Sequence, residues 1–265
     1  QVFGNTSRWP DGDSPRIRRH LMPAREILDS FLPPLLSGKR QDCRHILAKA
    51  MDRTKDARQL YNDVLWPAMM HVEALFREDR INLATEHMAT RITRCLADQL
   101  QAHLPRRQWN GKRIVITCAD GEPEELGAQI CADLFESDGW DAYFIGGGVP
   151  NDEILALVGE LRPDILLVFG TQPQGIPLVR RLIDLIREVA ANPRMNIMIS
   201  GGVFNRAAGL WEEINADLFA PCAEQALAVA NKAEPRTPTI RVPGAPKKRR
   251  RRRRPPLLAQ LEASA

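Results

Sequence analysis

The spacing of hydrophobic positions changes once along this chain. From Ala24 to about His103 it is helical, with breaks near Pro33-Pro34, Gly38 and Pro67. The segments between the breaks predict four helices, at about 24–32, 40–60, 62–78 and 82–103. In the last of these, Ile81, Ala84, Met88, Ile92, Cys95, Leu96 and Gln99 recur mostly at intervals of three and four. They make one apolar stripe with charged residues opposite. Pro67 falls in the first turn of the third helix, where its missing N–H is harmless. Four antiparallel helices of this size predict a bundle over residues 23–104.

Beyond a linker at 104–112 (LPRRQWNGK), short apolar runs alternate with amphipathic segments. Strands are predicted at 113–117, 142–145, 165–169, 197–200 and 218–220, and helices at 125–137, 151–161, 176–191, 206–215 and 223–233. This is the pattern of an α/β domain over 111–233, a Rossmann-like (flavodoxin-like) parallel five-stranded sheet covered on both faces. Ligands of such sheets bind outside the carboxyl ends of the strands. Residues 1–22 read as a flexible leader and 234–265 as a disordered basic tail.

Composition narrows the picture. A 265-residue chain with 44% hydrophobic residues can bury the cores of two compact units. No apolar run reaches the roughly 18 residues of a membrane span, and the first residues lack the apolar middle of a secretory signal. Cys43, Cys95, Cys118, Cys131 and Cys222 are scattered and odd in number, which argues against a disulfide framework or zinc site and for a reducing cytoplasm. The net charge of +4 is misleading, because Lys247–Arg254 is an unbroken run of eight cations. Without those eight charges the body stands at −4. Such a run suits a sequence-independent contact with nucleic-acid phosphates, with acidic lipid headgroups as a second target.

The first strand, IVITC, runs into the loop Asp120-Gly121-Glu122-Pro123-Glu124-Glu125-Leu126-Gly127. Together with TEHMAT at 85–90 and ISGGVF at 199–204, this loop resembles the cobalamin (B12)-binding domain family. That family joins a helical cap to a Rossmann-like domain, as in methionine synthase and the CarH-type light-sensing regulators. Its loop reads Asp/Glu-x-His-x-x-Gly, with the His as lower ligand of cobalt. Here Glu122 occupies the place that orients the ligand, and Glu124 replaces the His. A carboxylate is a harder and poorer partner for cobalt than imidazole. Three outcomes stay open: cobalamin keeping its own benzimidazole on cobalt, cobalamin with another axial ligand, or no cobalamin.

In the helical part, Phe76 stands ten residues before Glu86-His87 and resembles the Trp-x9-Glu-His signature of the CarH-type cap. The resemblance makes Phe76 a plate over the ring and turns Glu86 and His87 toward the cofactor, with His87 as a metal ligand. On its helix His87 lies about 110° from the centre of the apolar stripe, a flanking position that suits a group facing a cavity. At the strand ends, Gly146 and Gly147 allow close backbone approach, and Thr171 or Gln172 stands where relatives bond the benzimidazole in a deep slot. Ser200, Gly201 and Gly202 would leave room for the nucleotide tail.

GTQPQGIPLVRRLIDLIRE and MISGGVFN are also similar to the AerR/PpaA group of regulators. No nucleophile–base pair, metal-spaced His cluster, G-x-G-x-x-G or P-loop is present, so the chain reads as a non-enzyme. The expected function is a cobalamin-binding sensor or transcriptional regulator, light-responsive in the resemblance. It would hold adenosyl- or methylcobalamin and act through a transcription-factor partner or nucleic acid. The alternatives are a corrinoid carrier subunit of a methyltransferase, or a variant module binding a biliverdin-type bilin or nothing.

Overall fold

Proline sets the course of the helical half. The computed structural model describes residues 18–119, 121 and 124–238, with side chains from Arg25 onward. Helix α1, Arg18–Leu36, continues through Pro33-Pro34 instead of ending before them. Both prolines lie in its last turn, where few carbonyls lose a partner, and the hydroxyl of Ser37 donates back to Pro33 O at 2.9 Å. Helix α2, Arg40–Thr54, stops at Lys55, which adopts the left-handed conformation and donates to Met51 O. Expected to run to residue 60, it ends earlier because Asp56 caps a new helix by accepting from Gln59 N at 3.2 Å.

That new helix, α3 (Ala57–Leu60), passes through a π-helical turn, Tyr61–Leu65, into α4, Trp66–Arg77. Pro67 does occupy the first turn of α4, yet the chain before it is helical too. The wider π turn keeps the proline ring clear of the preceding carbonyl. Helix α5, Leu83–Gln101, is capped by Asn82, which accepts from Thr85 N at 2.9 Å.

The second half alternates as its pattern requires: β1 Arg113–Cys118, α6 Leu126–Ser137, β2 Asp141–Gly146, α7 Asn151–Leu161, β3 Ile165–Phe169, α8 Ile176–Val189, β4 Asn196–Ser200. Two short helices, α9 Gly202–Arg206 and α10 Leu210–Glu213, replace the single one expected at 206–215. The chain turns between them at Gly209, with φ +80°. Strand β5, Leu218–Ala220, and helix α11, Ala223–Lys232, complete the fold. All strands are parallel, in the order β2-β1-β3-β4-β5, so the order reverses between β1 and β3. The chain stays docked past α11, where Arg236 pairs with Asp217 at 3.0 Å and its N–H donates to Arg194 O.

One apolar core runs from the bundle through α6 and α11 to one face of the sheet, and a second lies under α7 and α8 on the other face. Because the bundle shares its core with the sheet, the carboxyl ends of β1, β3 and β4 face the helical layer. Polar bonds fix this union: Arg58 makes two hydrogen bonds to Glu224 on α11, at 3.1 and 3.2 Å, and Asn62 a third at 2.8 Å. No helix among the described residues is long and apolar enough to cross a membrane.

Candidate functional site

Helix α4 presents Trp66, Met69, Met70, Glu73, Phe76 and Arg77 to the sheet at intervals of three and four, so they share one face. Opposite that face, between the helical layer and the strand ends, is a cavity of about 510 Å³. That is within the range of small-molecule and cofactor sites. Leu83, Glu86 and His87 enter it from the start of α5. Glu124, Leu126, Gly127 and Ile130 come from the loop and α6, and Phe169, Thr171, Gln172 and Gly202 from the ends of β3 and β4. Most of this lining is apolar.

Three of its polar residues form a compact group. One ligand atom each from Glu86, His87 and Glu124 lies within 4.8 Å of the others, although Glu124 comes from the other half of the fold. Glu86 is buried, and its Oε2 is 3.6 Å from His87 Nε2. Burial raises the carboxyl of Glu86 above the usual range, while His87 and the Thr90 hydroxyl, 3.4 Å away, oppose the shift. One imidazole and two carboxylates are a donor set for a divalent transition metal.

Polar contacts close the rim on two sides. Arg206 pairs with Glu73 and donates to Thr171 O at 2.7 Å, joining α4 to α9. Glu125 accepts from Gly147 N at 2.7 Å and from Arg94 at 3.4 Å, joining the loop to β2 and α5.

Of the residues singled out in the sequence, Phe76, Glu86, His87, Glu124, Gly127, Thr171, Gln172 and Gly202 come together around this cavity. Gly121, Gly146, Gly147, Ser200 and Gly201 do not line it. Gly146 instead makes room for Glu125, whose Oε1 would be 2.8 Å from a Cβ there. Gly201 holds φ +110° where the chain leaves β4. Ser200 is fully buried, and its hydroxyl has no hydrogen-bond partner among the described residues. Asp120 and Glu122 lie outside the described residues, as do 1–17 and Lys247–Arg254.

Sequence reasoning missed Trp66, Met69, Met70, Glu73, Arg206 and Phe169. The first four repeat at helical spacing, a signal that was present but reads equally as core.

A two-layer ligand-binding protein is thus defined, with a helical cap over the strand ends of a parallel sheet. Residues 27–100 and 112–230 match the B12 binding domain, and the chain belongs to that family. It is similar to dimethylamine corrinoid protein 1 of Methanosarcina acetivorans, 23% identical over 214 residues that span 80% of this chain and 99% of that one. It is also similar to the methanol–corrinoid protein of Methanosarcina barkeri, 22% identical over 208 residues covering 74% and 78% of the two chains. Among solved structures, the monomethylamine corrinoid protein of Methanosarcina barkeri matches with a TM-score of 0.70 at 18% identity, over 78% of this chain and 97% of that one, which shows the fold. The cofactor of the family is cobalamin, a corrinoid. These relatives favour the corrinoid-carrier alternative over the regulator expected from the CarH-type and AerR/PpaA resemblances.

The residues fit such a cofactor unevenly. A flat macrocycle suits the apolar cavity, with Trp66 and Phe76 on the wall and Glu86, His87 and Glu124 positioned to meet a metal. Beneath it, the space between sheet and α6 is filled by packed side chains.

Proposed function

We propose that this protein is a corrinoid carrier: it catalyses no reaction alone and presents its cofactor to a partner protein such as a methyltransferase. The observation that carries the reading is the apolar cavity at the carboxyl ends of the strands, with Glu86, His87 and Glu124 gathered at its wall. When bound, the corrinoid supplies a cobalt centre able to take up and release an alkyl group. The protein supplies position and exclusion of water. Trp66, Met69 and Phe76 give the ring an apolar ceiling, and Thr171 and Gln172 offer polar atoms to the amides at its edge. His87 offers a ring nitrogen to the metal, with Glu86 Oε2 3.6 Å from its Nε2. Glu124 meets the same point from the loop, as a carboxylate in place of imidazole.

The test is incubation of the full chain with adenosyl-, methyl- and hydroxocobalamin in the dark, desalting, and absorption spectra and gel filtration before and after green light. A retained corrinoid band supports the carrier when green light, which cleaves the cobalt–carbon bond of any alkylcobalamin, leaves the protein's elution volume unchanged. A light-driven change in elution volume would move the reading to the light-responsive regulator. Retention of biliverdin and of no corrinoid would assign the site to a bilin.

A further inference from the structure

We infer that this protein binds the corrin ring of cobalamin while leaving the nucleotide arm outside its interior, and that Phe169 decides this. The inference rests on the corrinoid reading above and concerns which corrinoids the site accepts.

Cobalamin has two parts to house: the flat ring with its cobalt, and a nucleotide arm ending in benzimidazole. The cavity offers room for the ring. An arm carried down into the sheet domain would need a second compartment between β3 and α6, because the strand ends form the cavity's floor. Phe169, the last residue of β3, stands at that point. Its ring is 5% exposed and meets Trp66 edge-on, with centroids 6.4 Å apart at 84°. It also lies on the backbone of Gly127, in the first turn of α6, where a Cβ would come within 3.0 Å of three ring atoms. Strand and helix are therefore bridged by the phenyl ring itself. Below it, Ile116, Leu167, Ile130 and Leu134 belong to the same buried apolar cluster.

Ser200 completes the argument. It pairs with Phe169 in the β3–β4 register, so the two side chains stand side by side on one face of the sheet. Its hydroxyl is buried without a hydrogen-bond partner among the described residues. A polar group with nothing to bond, beside a phenyl ring that fills the gap, marks a compartment closed by one side chain. Removing that ring would open a path toward a hydrogen-bonding group already in place.

Binding to the full chain should be compared for hydroxocobalamin and aquohydroxocobinamide, which share ring and metal but differ in the arm. The wild-type protein is expected to bind both with affinities equal within about threefold, because an arm left in solvent adds no contact. Phe169→Ala is expected to favour cobalamin by about tenfold, while Phe169→Leu, which keeps the gap filled, should stay indifferent. A wild-type preference for cobalamin of about tenfold or more would overturn the inference, since the arm would then be held. Equal binding by Phe169→Ala would remove Phe169 from the role. If neither corrinoid is retained by wild type or variant, the corrinoid reading itself fails, and this inference with it.

Discussion

The hydroxyl of Tyr61, in the π turn before α4, lies 2.9 Å from the carboxylate of Asp133 on α6. The same hydroxyl lies 2.7 Å from Ala97 O, so its single proton faces two acceptors. A protonated Asp133 resolves the conflict by donating to Tyr61, which then donates to Ala97. Burial favours that state: it pushes Asp133 up to about 6, with the Tyr61 hydroxyl opposing the shift.

A group whose folded pKa is raised adds stability below its unfolded value and loses it as pH rises through the folded one. For Asp133 that window runs from its ordinary 3.8 to about 6. Burying the charged form costs at most about 3 kcal/mol above it. Asp133→Asn abolishes the titration, so its stability relative to wild type should climb between pH 4 and pH 7. Urea unfolding at both pH values checks this. Parallel pH slopes in the two proteins would place the titration elsewhere.

Gly127→Ala should destabilise the fold by about 1–3 kcal/mol, because the new methyl meets the Phe169 ring rather than solvent. Combined with Phe169→Ala, most of that loss should disappear, a non-additivity expected of residues in contact. Thermal unfolding of the two single variants and the double variant measures it. Additive losses would contradict the packing described for this pair.

Glu124→His should tighten cobalamin binding by about tenfold, since imidazole suits cobalt better than a carboxylate and the loop already meets His87. An absorption titration reads the change. Unchanged affinity would mean that residue 124 does not approach the metal.

The Glu73–Arg206 pair joins cap to sheet at the cavity rim, and both side chains are partly buried. A double-mutant cycle on Glu73→Ala and Arg206→Ala should give a coupling of about 0.5–1.5 kcal/mol, more than a fully exposed pair yields. A coupling near zero would mean that this pair does not help hold the cap at the rim.

Much of the architecture was legible without coordinates. The bounds of β3, Ile165–Phe169, and α7, Asn151–Leu161, coincide with those read from hydrophobic spacing. A fully apolar five-residue run and a capped amphipathic turn series leave little local choice. The resemblance to the cobalamin-binding family turned Phe76, Glu86, His87 and Glu124 toward one cofactor, and the structure sets all four on one cavity; the strand-end rule by itself covers only Glu124, whose loop follows β1. The helix breaks were misplaced at Pro33-Pro34, which fall in the last turn of α1, and near Pro67, where a π-helical turn accommodates the ring.

By itself, then, the sequence determined the two-part order, the parallel sheet and the loop in which glutamate stands for histidine, all properties of local periodicity and chain order. Only the tertiary structure decided that Trp66, Met69 and Met70 line a cavity and that the Phe169 ring bridges β3 to α6 over Gly127. The reason is physical. An apolar stripe records that a face is buried, not whether a side chain, a second layer or a ligand buries it. That is settled when side chains from distant parts of the chain compete for the same volume.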